Sequence, residues 1–465
     1  MTIQLSDIES RSGPKYLAIT EALSDSIRRG QIKPGERLPT HRDLADTLGV
    51  TVATITRAYK EAISRGLITG EVGRGSFVSG IPEERNNLLE NFPCPGRDME
   101  EPVDLGPVLA AQGGQDRILS ETLKSIADSP NLVRSILNYI PQPGMLEPHQ
   151  QAGGQWLSQW VPEIDPDRIL VTNGAQHALG LSLLSAAGSG EVVLTENMAW
   201  YGTKAVASSF SVRVESVDMD EEGLDPEALD QACALHGPRM LFCSTNRQNP
   251  TTATMSLARR EAIVDIARRY DLTIVEDGVF DFFEESPLPA LATLAPERTI
   301  YISSFSKCIG AGLRTGFMYI PEELFPRVAG HNRAMLICTP PLMLDIASIW
   351  IMDGTAGRMV EWQRAEFAER RKLAREAFDG IAEIRSNASW AWVELPEPWT
   401  PGQFIAKASA KGINVWPSER FIIGRTAAPP AVRVSLGGYG TREDMAHNLQ
   451  ILADCMSSPP GSHIG

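Results

Sequence analysis

The sequence predicts two bodies of different class: a small, mainly α head with a two-stranded wing, then a larger α/β domain with a mainly parallel sheet. Three observations carry this. Three short helical stripes and a Gly-rich hairpin fill the first eighty residues. Beyond about residue 103, helical stripes alternate with short apolar runs, the pattern of strands buried on both faces. Residues 80 to about 102 are polar and punctuated by proline, and read as a linker.

In the head, Tyr16 to Arg29 places apolar residues at 16, 19, 23 and 27, one face of a helix. Gly30 ends it, and Lys33-Pro-Gly-Glu-Arg-Leu-Pro39 is a turn-rich connector. Thr40 suits the cap of a second helix, His41 to Leu48, with Asp43 three residues on giving a box-like start. Gly49 closes that helix, and Thr51 precedes a third, Val52 to Arg65. Two short helices around a tight Gly-containing turn form a helix-turn-helix, whose second helix lies in the DNA major groove. Leu67 to Val78 supplies two strands around a Gly-rich tip.

The formal net charge of −15 argues against a nucleic-acid binder until it is divided. Residues 1–80 hold 11 Lys+Arg and 9 Asp+Glu, and the remainder 32 and 49. A slightly basic head on a strongly acidic body permits DNA binding by the head and disfavours it for the body. No apolar run reaches the roughly 18 residues that span a bilayer, and the N-terminus lacks a signal-peptide pattern. The six cysteines are scattered without metal-ligand spacing, which suits reduced thiols in a cytoplasm. The seven histidines form no metal pattern either, so no metal is expected.

The head resembles the winged helix-turn-helix of GntR-type bacterial regulators. The matching pieces are Gly30-Gln-Ile-Lys-Pro-Gly-Glu-Arg-Leu-Pro39, Arg42-Asp-Leu-Ala45, Leu48-Gly-Val-Thr51, Thr54-Ile-Thr-Arg-Ala-Tyr59 and Gly73-Arg-Gly-Ser-Phe-Val78. The resemblance implies a double-stranded DNA operator, contacted by Arg42, Thr51, Thr54 and the wing residues Arg74 and Gly75. Charge adds Arg57 and Lys60 as phosphate contacts. Val52 stands where some relatives have a base-reading arginine, so direct readout is expected to rely on Thr contacts, thymine-methyl packing and the wing.

In the larger domain, Glu191–Glu196, Met240–Ser244, Leu272–Asp277 and Thr299–Ser303 read as buried strands, and ligands bind beyond the strand ends of such sheets. Just past the last of these, a serine-rich turn with Ser304 and Ser306 leads to Lys307, and Arg314 follows beyond Gly310, Ala311 and Gly312. A lysine amine condenses with an aldehyde, while hydroxyls and a guanidinium bind a phosphate. Pyridoxal 5'-phosphate presents both groups. Asp277 at a strand end suits a ring nitrogen that must stay protonated. Gly174, Ala175 and Gln176, ahead of a helix from His177 to Ser185, offer backbone amides to a phosphate. Trp200, with Tyr201 as the less favoured candidate, suits stacking on the ring, and Asn249 its hydroxyl. Arg433 suits a carboxylate bound bidentately. Each taken singly admits a plainer reading: a strand-end Asp capping a loop, a core Trp, a turn Asn. Their order persuades.

That order, and the Lys307 segment, resemble the fold-type-I aminotransferases over residues from about 103 to 457. With the head, the whole chain is similar to the MocR-type regulators. The resemblance implies a DNA-binding domain at 1–80, a linker at 81–102, an aminotransferase-like domain at 103–457 with a smaller C-terminal α+β subdomain, and a tail at 458–465. It implies pyridoxal phosphate on Lys307 as an internal aldimine, and an amino-compound effector that displaces the lysine and changes the grip on DNA. A cytoplasmic homodimer is implied, with heads crossing between subunits and Tyr139 reaching the partner's phosphate. Three departures matter. Thr252 replaces a usual glycine, Phe280 the tyrosine that bonds the ring hydroxyl, and Gly310-Ala311 an Ala-Pro pair. Cofactor binding is expected to survive these, and efficient transamination need not. A working aminotransferase with a vestigial head, a sensor of the cofactor itself, and a repressor whose large domain only dimerises are the alternatives.

Overall fold

A computed structural model of the chain describes residues 14–28, 32, 36–64, 68–71, 75–78, 103–137, 147–424, 426–438 and 440–457. The chain divides into two compact units, Met1–Pro95 and Gly96–Gly465. The sequence expectations on Arg74, on Tyr139, on the linker at 81–102 and on the tail at 458–465 lie outside the described residues.

The first unit contains α1 (Lys15–Arg28), α2 (His41–Leu48), α3 (Val52–Ser64) and the antiparallel pair β1 (Ile68–Glu71) and β2 (Gly75–Val78). Local chemistry builds the turn between α2 and α3. The Thr40 hydroxyl accepts from the Asp43 N–H and donates to the Asp43 carboxylate. Gly49 then ends α2 in the left-handed region at φ 59°, which a side chain would strain. At the start of α3 the Thr51 hydroxyl accepts from the Thr54 N–H. Ile19, Leu23, Leu44, Leu48, Ile55 and Ile68 close one apolar core. Tyr59 is fixed within it by donating its hydroxyl to the Pro39 carbonyl at 2.9 Å, and burial pushes its pKa up.

The second unit is built on a seven-stranded sheet. Its strands are β3 (Ile169–Thr172), β4 (Val192–Glu196), β5 (Arg213–Val217), β6 (Met240–Cys243), β7 (Thr273–Asp277), β8 (Thr299–Ser304) and β9 (Gly316–Tyr319). They lie in the order β3-β9-β8-β7-β6-β4-β5, and β9 alone runs against the rest. Strands β4, β6 and β8 are buried along their whole length, which is why they read as continuous apolar runs. The helix α4 (Ala175–Ala186) follows β3 and starts two residues before the His177 expected from sequence. Gly174 at φ 84° makes the tight exit, so helical geometry is available from Ala175 onward.

The smaller α+β part is present. Strands β10 (Ile384–Arg385), β11 (Trp390–Glu394), β12 (Trp416–Pro417) and β13 (Ala431–Ser435) form an antiparallel sheet in the order β10-β11-β13-β12. Among the described residues no helix is long and apolar enough to cross a membrane.

Candidate functional site

Gly174, Asp277 and Lys307 stand at or just beyond the carboxyl ends of β3, β7 and β8. Beyond β8, Lys307 reaches back so that its Nζ donates to the Val108 carbonyl at 2.9 Å. Burial, then the nearby Arg433 guanidinium, lowers its pKa from 10.5 to about 8, against the Asp277 carboxylate, which raises it. An amine held this way is neutral for a useful fraction of time near neutral pH. Asp277, the last residue of β7, accepts a backbone N–H from Val279 at 3.3 Å. Burial lifts its pKa to about 6 even though Lys307 pulls it down. No Lys, Arg or His forms an ion pair with it among the described residues.

Further buried polar groups stand behind it. Asp281 accepts from the Tyr301 hydroxyl at 2.6 Å and from Asn246 Nδ2 at 2.9 Å, while Asn246 Oδ1 accepts from Arg260. This chain of bonds fixes the start of the Asn246–Thr252 loop. Glu196, at the end of β4, accepts the Ser244 N–H at 2.8 Å, and burial raises its pKa to about 7. Sequence reading missed these partners. Asp281 and Tyr301 lie 20 residues apart and only the fold joins them.

A second cluster suits an oxyanion. Gly174 precedes α4 without a side-chain cap, and the first turn of α4 carries no acid. Its terminal N–H groups therefore have no side-chain acceptor of their own. A Cβ on Gly174 would stand 2.8 Å from Nη2 of Arg314, so this guanidinium lies directly against the helix N-terminus. Arg314 adopts φ 47°, an uncommon conformation for a residue with a side chain. Ser304 and Ser306 are buried beside this turn, and the Ser304 hydroxyl accepts the Ser306 N–H. Ala175 and Gln176 are the first two residues of α4.

Arg433 sits in the middle of β13, directly across from Trp392 on one side and Trp416 on the other. Cross-strand partners share a face, so the three side chains form one row. The guanidinium is 1% exposed, lies 4.8 Å from the Trp416 ring centre and donates to Asn249 Oδ1 at 2.6 Å and the Gly106 carbonyl at 2.7 Å. Its Nε has no hydrogen-bond partner. Burial depresses its pKa to about 9. A buried guanidinium with an unsatisfied donor is a ready carboxylate site.

Trp200 is half-buried, packs over Gly202 and lies 5.6 Å from the Tyr201 ring. Phe280 turns into the core, edge-on to Trp390 at 4.6 Å. Thr252 takes φ 66°, the left-handed geometry for which glycine would be preferred at that place. In the head, Arg42, Thr51, Val52, Arg57 and Lys60 are exposed and Thr54 is half-buried. Gly75 opens β2. The Arg57 guanidinium stacks 4.5 Å above the Tyr16 ring, an intramolecular partner the sequence did not reveal.

These features define a DNA-binding head of GntR type joined to an aminotransferase-like body. Residues 15–78 match the gntR family of bacterial regulatory proteins, and residues 112–452 match aminotransferase class I and II. The chain belongs to the class I and II aminotransferase family, in the branch of MocR-type transcriptional regulators that carry a GntR head. It is 28% identical over 446 residues to the uncharacterized HTH-type transcriptional regulator YdeF of Bacillus subtilis, covering 96% of this chain and 95% of YdeF. It is 24% identical to the probable rhizopine catabolism regulatory protein MocR of Rhizobium meliloti, covering 92% and 90%. Among solved structures, LysN, the α-aminoadipate aminotransferase of Thermus thermophilus in complex with N-(5'-phosphopyridoxyl)-L-leucine, superposes with a TM-score of 0.69 at 22% identity, over 80% of this chain and 94% of LysN. Members of this family typically depend on pyridoxal phosphate and typically dimerise, and a GntR helix-turn-helix implies DNA binding.

Proposed function

We propose that this chain is a transcriptional regulator that holds pyridoxal 5'-phosphate on Lys307 and reads an amino compound through it. One observation carries the reading: the half-buried Lys307 amine donates to the Val108 carbonyl and lies within the electrostatic reach of Asp277, Arg314 and Arg433. The residues fit the cofactor. Asp277, half-buried and in no ion pair among the described residues, would hold the ring nitrogen. Arg314 with the amides of Gly174, Ala175 and Gln176, and the hydroxyls of Ser304 and Ser306, would hold the phosphate. Trp200 would cover the ring, and Asn249 would meet its hydroxyl. When bound, pyridoxal phosphate supplies an electrophilic aldehyde carbon and an electron sink.

Arg433 would fix the carboxylate of the amino compound, and Lys307 would leave its own bond when that amine takes its place. The chain's conformational balance then shifts, because only a ligand with unequal affinity for two states can change DNA binding. The head at 1–80 would grip the operator through Arg42, Thr51, Val52, Thr54, Arg57, Arg74 and Gly75. The linker at 81–102 is long enough for heads to cross between the subunits of a homodimer, with the body at 103–457 and a tail at 458–465. Phe280 offers no hydroxyl to the ring, which favours sensing over efficient turnover. An absorbance titration of the reconstituted protein against amino acids, run beside a DNA-shift assay, tests this. Matching midpoints in the two assays support it, and a colourless protein with unaltered DNA binding refutes it.

A further inference from the structure

We propose that Arg247, Arg371 and Arg375 form a second anion site, for a phosphate group, whose occupation stiffens the loop that carries Asn249.

The long helix α5 (Thr355–Phe378) carries Arg364, Arg371 and Arg375 at spacings of seven and four residues, which places them on one helical face. This face meets Phe283, Glu284 and the Ser386–Asn387 turn between β10 and β11. Arg247, in left-handed geometry at φ 49°, joins them from the Asn246–Thr252 loop. Its Nη1 and Nη1 of Arg371 donate to the same oxygen, the Asn387 carbonyl. Both guanidiniums also stand over one ring, 5.0 and 5.5 Å from the centre of Phe283. Arg375 completes the group by donating to the Ser386 hydroxyl at 3.3 Å, one residue from Asn387.

The cluster is short of negative charge. Arg247 Nε lies 2.9 Å from Glu284 Oε1, without the alignment of a hydrogen bond. Asp281 also acts on Arg247, but it already accepts from Tyr301 and Asn246. Among the described residues no carboxylate forms an ion pair with Arg364, Arg371 or Arg375. Burial lowers the pKa of Arg371, and Arg247 and Arg375 lower it further against the pull of Glu284. Arg371 is half-buried and Arg375 exposed, and each donates one nitrogen to the protein, keeping the rest of its fork for an oxyanion. A phosphate dianion answers such forks in both charge and geometry. A polyanion is the poorer occupant, because the chain beyond residue 80 carries 49 acidic against 32 basic residues.

Occupation has a mechanical consequence. Arg247 stands near the start of the loop, and Asn387 Nδ2 holds its end by donating to the Thr252 carbonyl at 3.2 Å. An anion between Arg247 and α5 fixes both ends of the loop, and with them Asn249, the partner of Arg433. Phosphate would thereby tune the candidate effector site from outside it.

The experiment uses the full-length, cofactor-free chain with inorganic phosphate as the probe. Arg314→Gln is present throughout, to weaken capture of the same anion by the candidate cradle at Gly174. By calorimetry at constant ionic strength in chloride, phosphate is expected to bind. Arg371→Gln together with Arg375→Gln is expected to weaken binding at least about tenfold, the scale of one charge-assisted hydrogen bond. Arg371→Lys, which keeps the charge, is expected to retain part of the affinity and so separates loss of the site from loss of the fold. Phosphate at about ten times its Kd is also expected to slow amide exchange in the 247–252 loop about tenfold. No binding, equal affinity in the doubly substituted chain, or binding that leaves loop exchange unchanged each overturns the proposal. A flatter salt slope of DNA binding in that chain, without a phosphate response, assigns the arginines to nucleic acid and overturns it too.

Discussion

Arg433 and Asn249 are joined by a 2.6 Å hydrogen bond from the guanidinium to the amide oxygen. It ties the small antiparallel sheet to the loop that follows β6. The Trp390 indole donates to the Pro250 carbonyl and Asn387 to the Thr252 carbonyl across the same gap. A loop with Arg247 and Thr252 in left-handed geometry is thus held from the side on which the carboxylate would bind. Asn249→Ala leaves a second Arg433 nitrogen unsatisfied. It is expected to cost about 1–3 kcal/mol in stability, measured by urea unfolding.

Lys307→Ala removes the amine that follows the carboxyl end of β8. Reconstitution with pyridoxal phosphate is expected to give no lysine-linked absorbance, and borohydride to fix nothing at that position. DNA shift without effector should persist. Loss of DNA binding together with the chromophore would show that the two units do not work separately.

Asp277→Asn keeps the shape and removes the charge. A charge-assisted hydrogen bond contributes about 1.5–3 kcal/mol, so cofactor affinity is expected to fall about 10- to 100-fold by equilibrium dialysis. An unchanged affinity would show that this carboxylate does not meet the ring.

Gly174→Ala tests the phosphate cradle. The new Cβ would stand 2.8 Å from Arg314 Nη2, on a residue held at φ 84°. Strain of about 1–2 kcal/mol and a displaced guanidinium are expected together, read as a lower melting temperature and weaker cofactor retention.

Two pKa values set the pH dependence. Lys307 is lowered to about 8, so its neutral, nucleophilic fraction grows about tenfold per pH unit below that value and saturates above it. Cofactor capture by the cofactor-free protein is expected to accelerate from pH 6.5 to 8 and level off near 9, by stopped-flow absorbance. Asp277 is raised to about 6, so protonation below that pH removes its charge and affinity should fall on the acid side. A rate that kept rising to pH 10.5 would mean that the amine is not perturbed.

Arg42→Ala is expected to lower operator affinity by about 1–3 kcal/mol if the side chain reads a base, and by less if it meets only a phosphate. Repeating the DNA shift at several salt concentrations separates the cases, because a lost phosphate contact flattens the salt slope.

The head was largely legible because its signals are local. Thr40, Gly49 and Thr51 cap and stop helices within three or four residues of where they stand, and the helix boundaries follow them. In the large unit, buried strands announced themselves as apolar runs, whereas β5 did not, because Arg213, Glu215 and Ser216 interrupt it near the sheet edge. Of the candidate residues read from sequence, Asp277, Arg314 and Arg433 lie within electrostatic reach of Lys307, Asn249 is bonded to Arg433, and Gly174 abuts Arg314. The interior of the site was not legible. The bond from Lys307 to the Val108 carbonyl spans 199 residues, and the stacking of Arg433 on Trp416 depends on the register of β12 against β13. Such pairings are properties of topology and leave no periodic trace in the chain.

The single reversed strand has a consequence for tolerance to change. Ser304 pairs with Gly316 across β8 and β9, so the segment carrying Lys307 and Arg314 leaves and re-enters at the same end of two adjacent interior strands. A parallel crossover would absorb an inserted residue in its helix. This closed bend cannot, and one insertion between positions 305 and 315 would move the amine and the guanidinium relative to each other while every strand stayed in register. Length variation there should therefore abolish ligand sensing in a protein that still folds and still holds DNA.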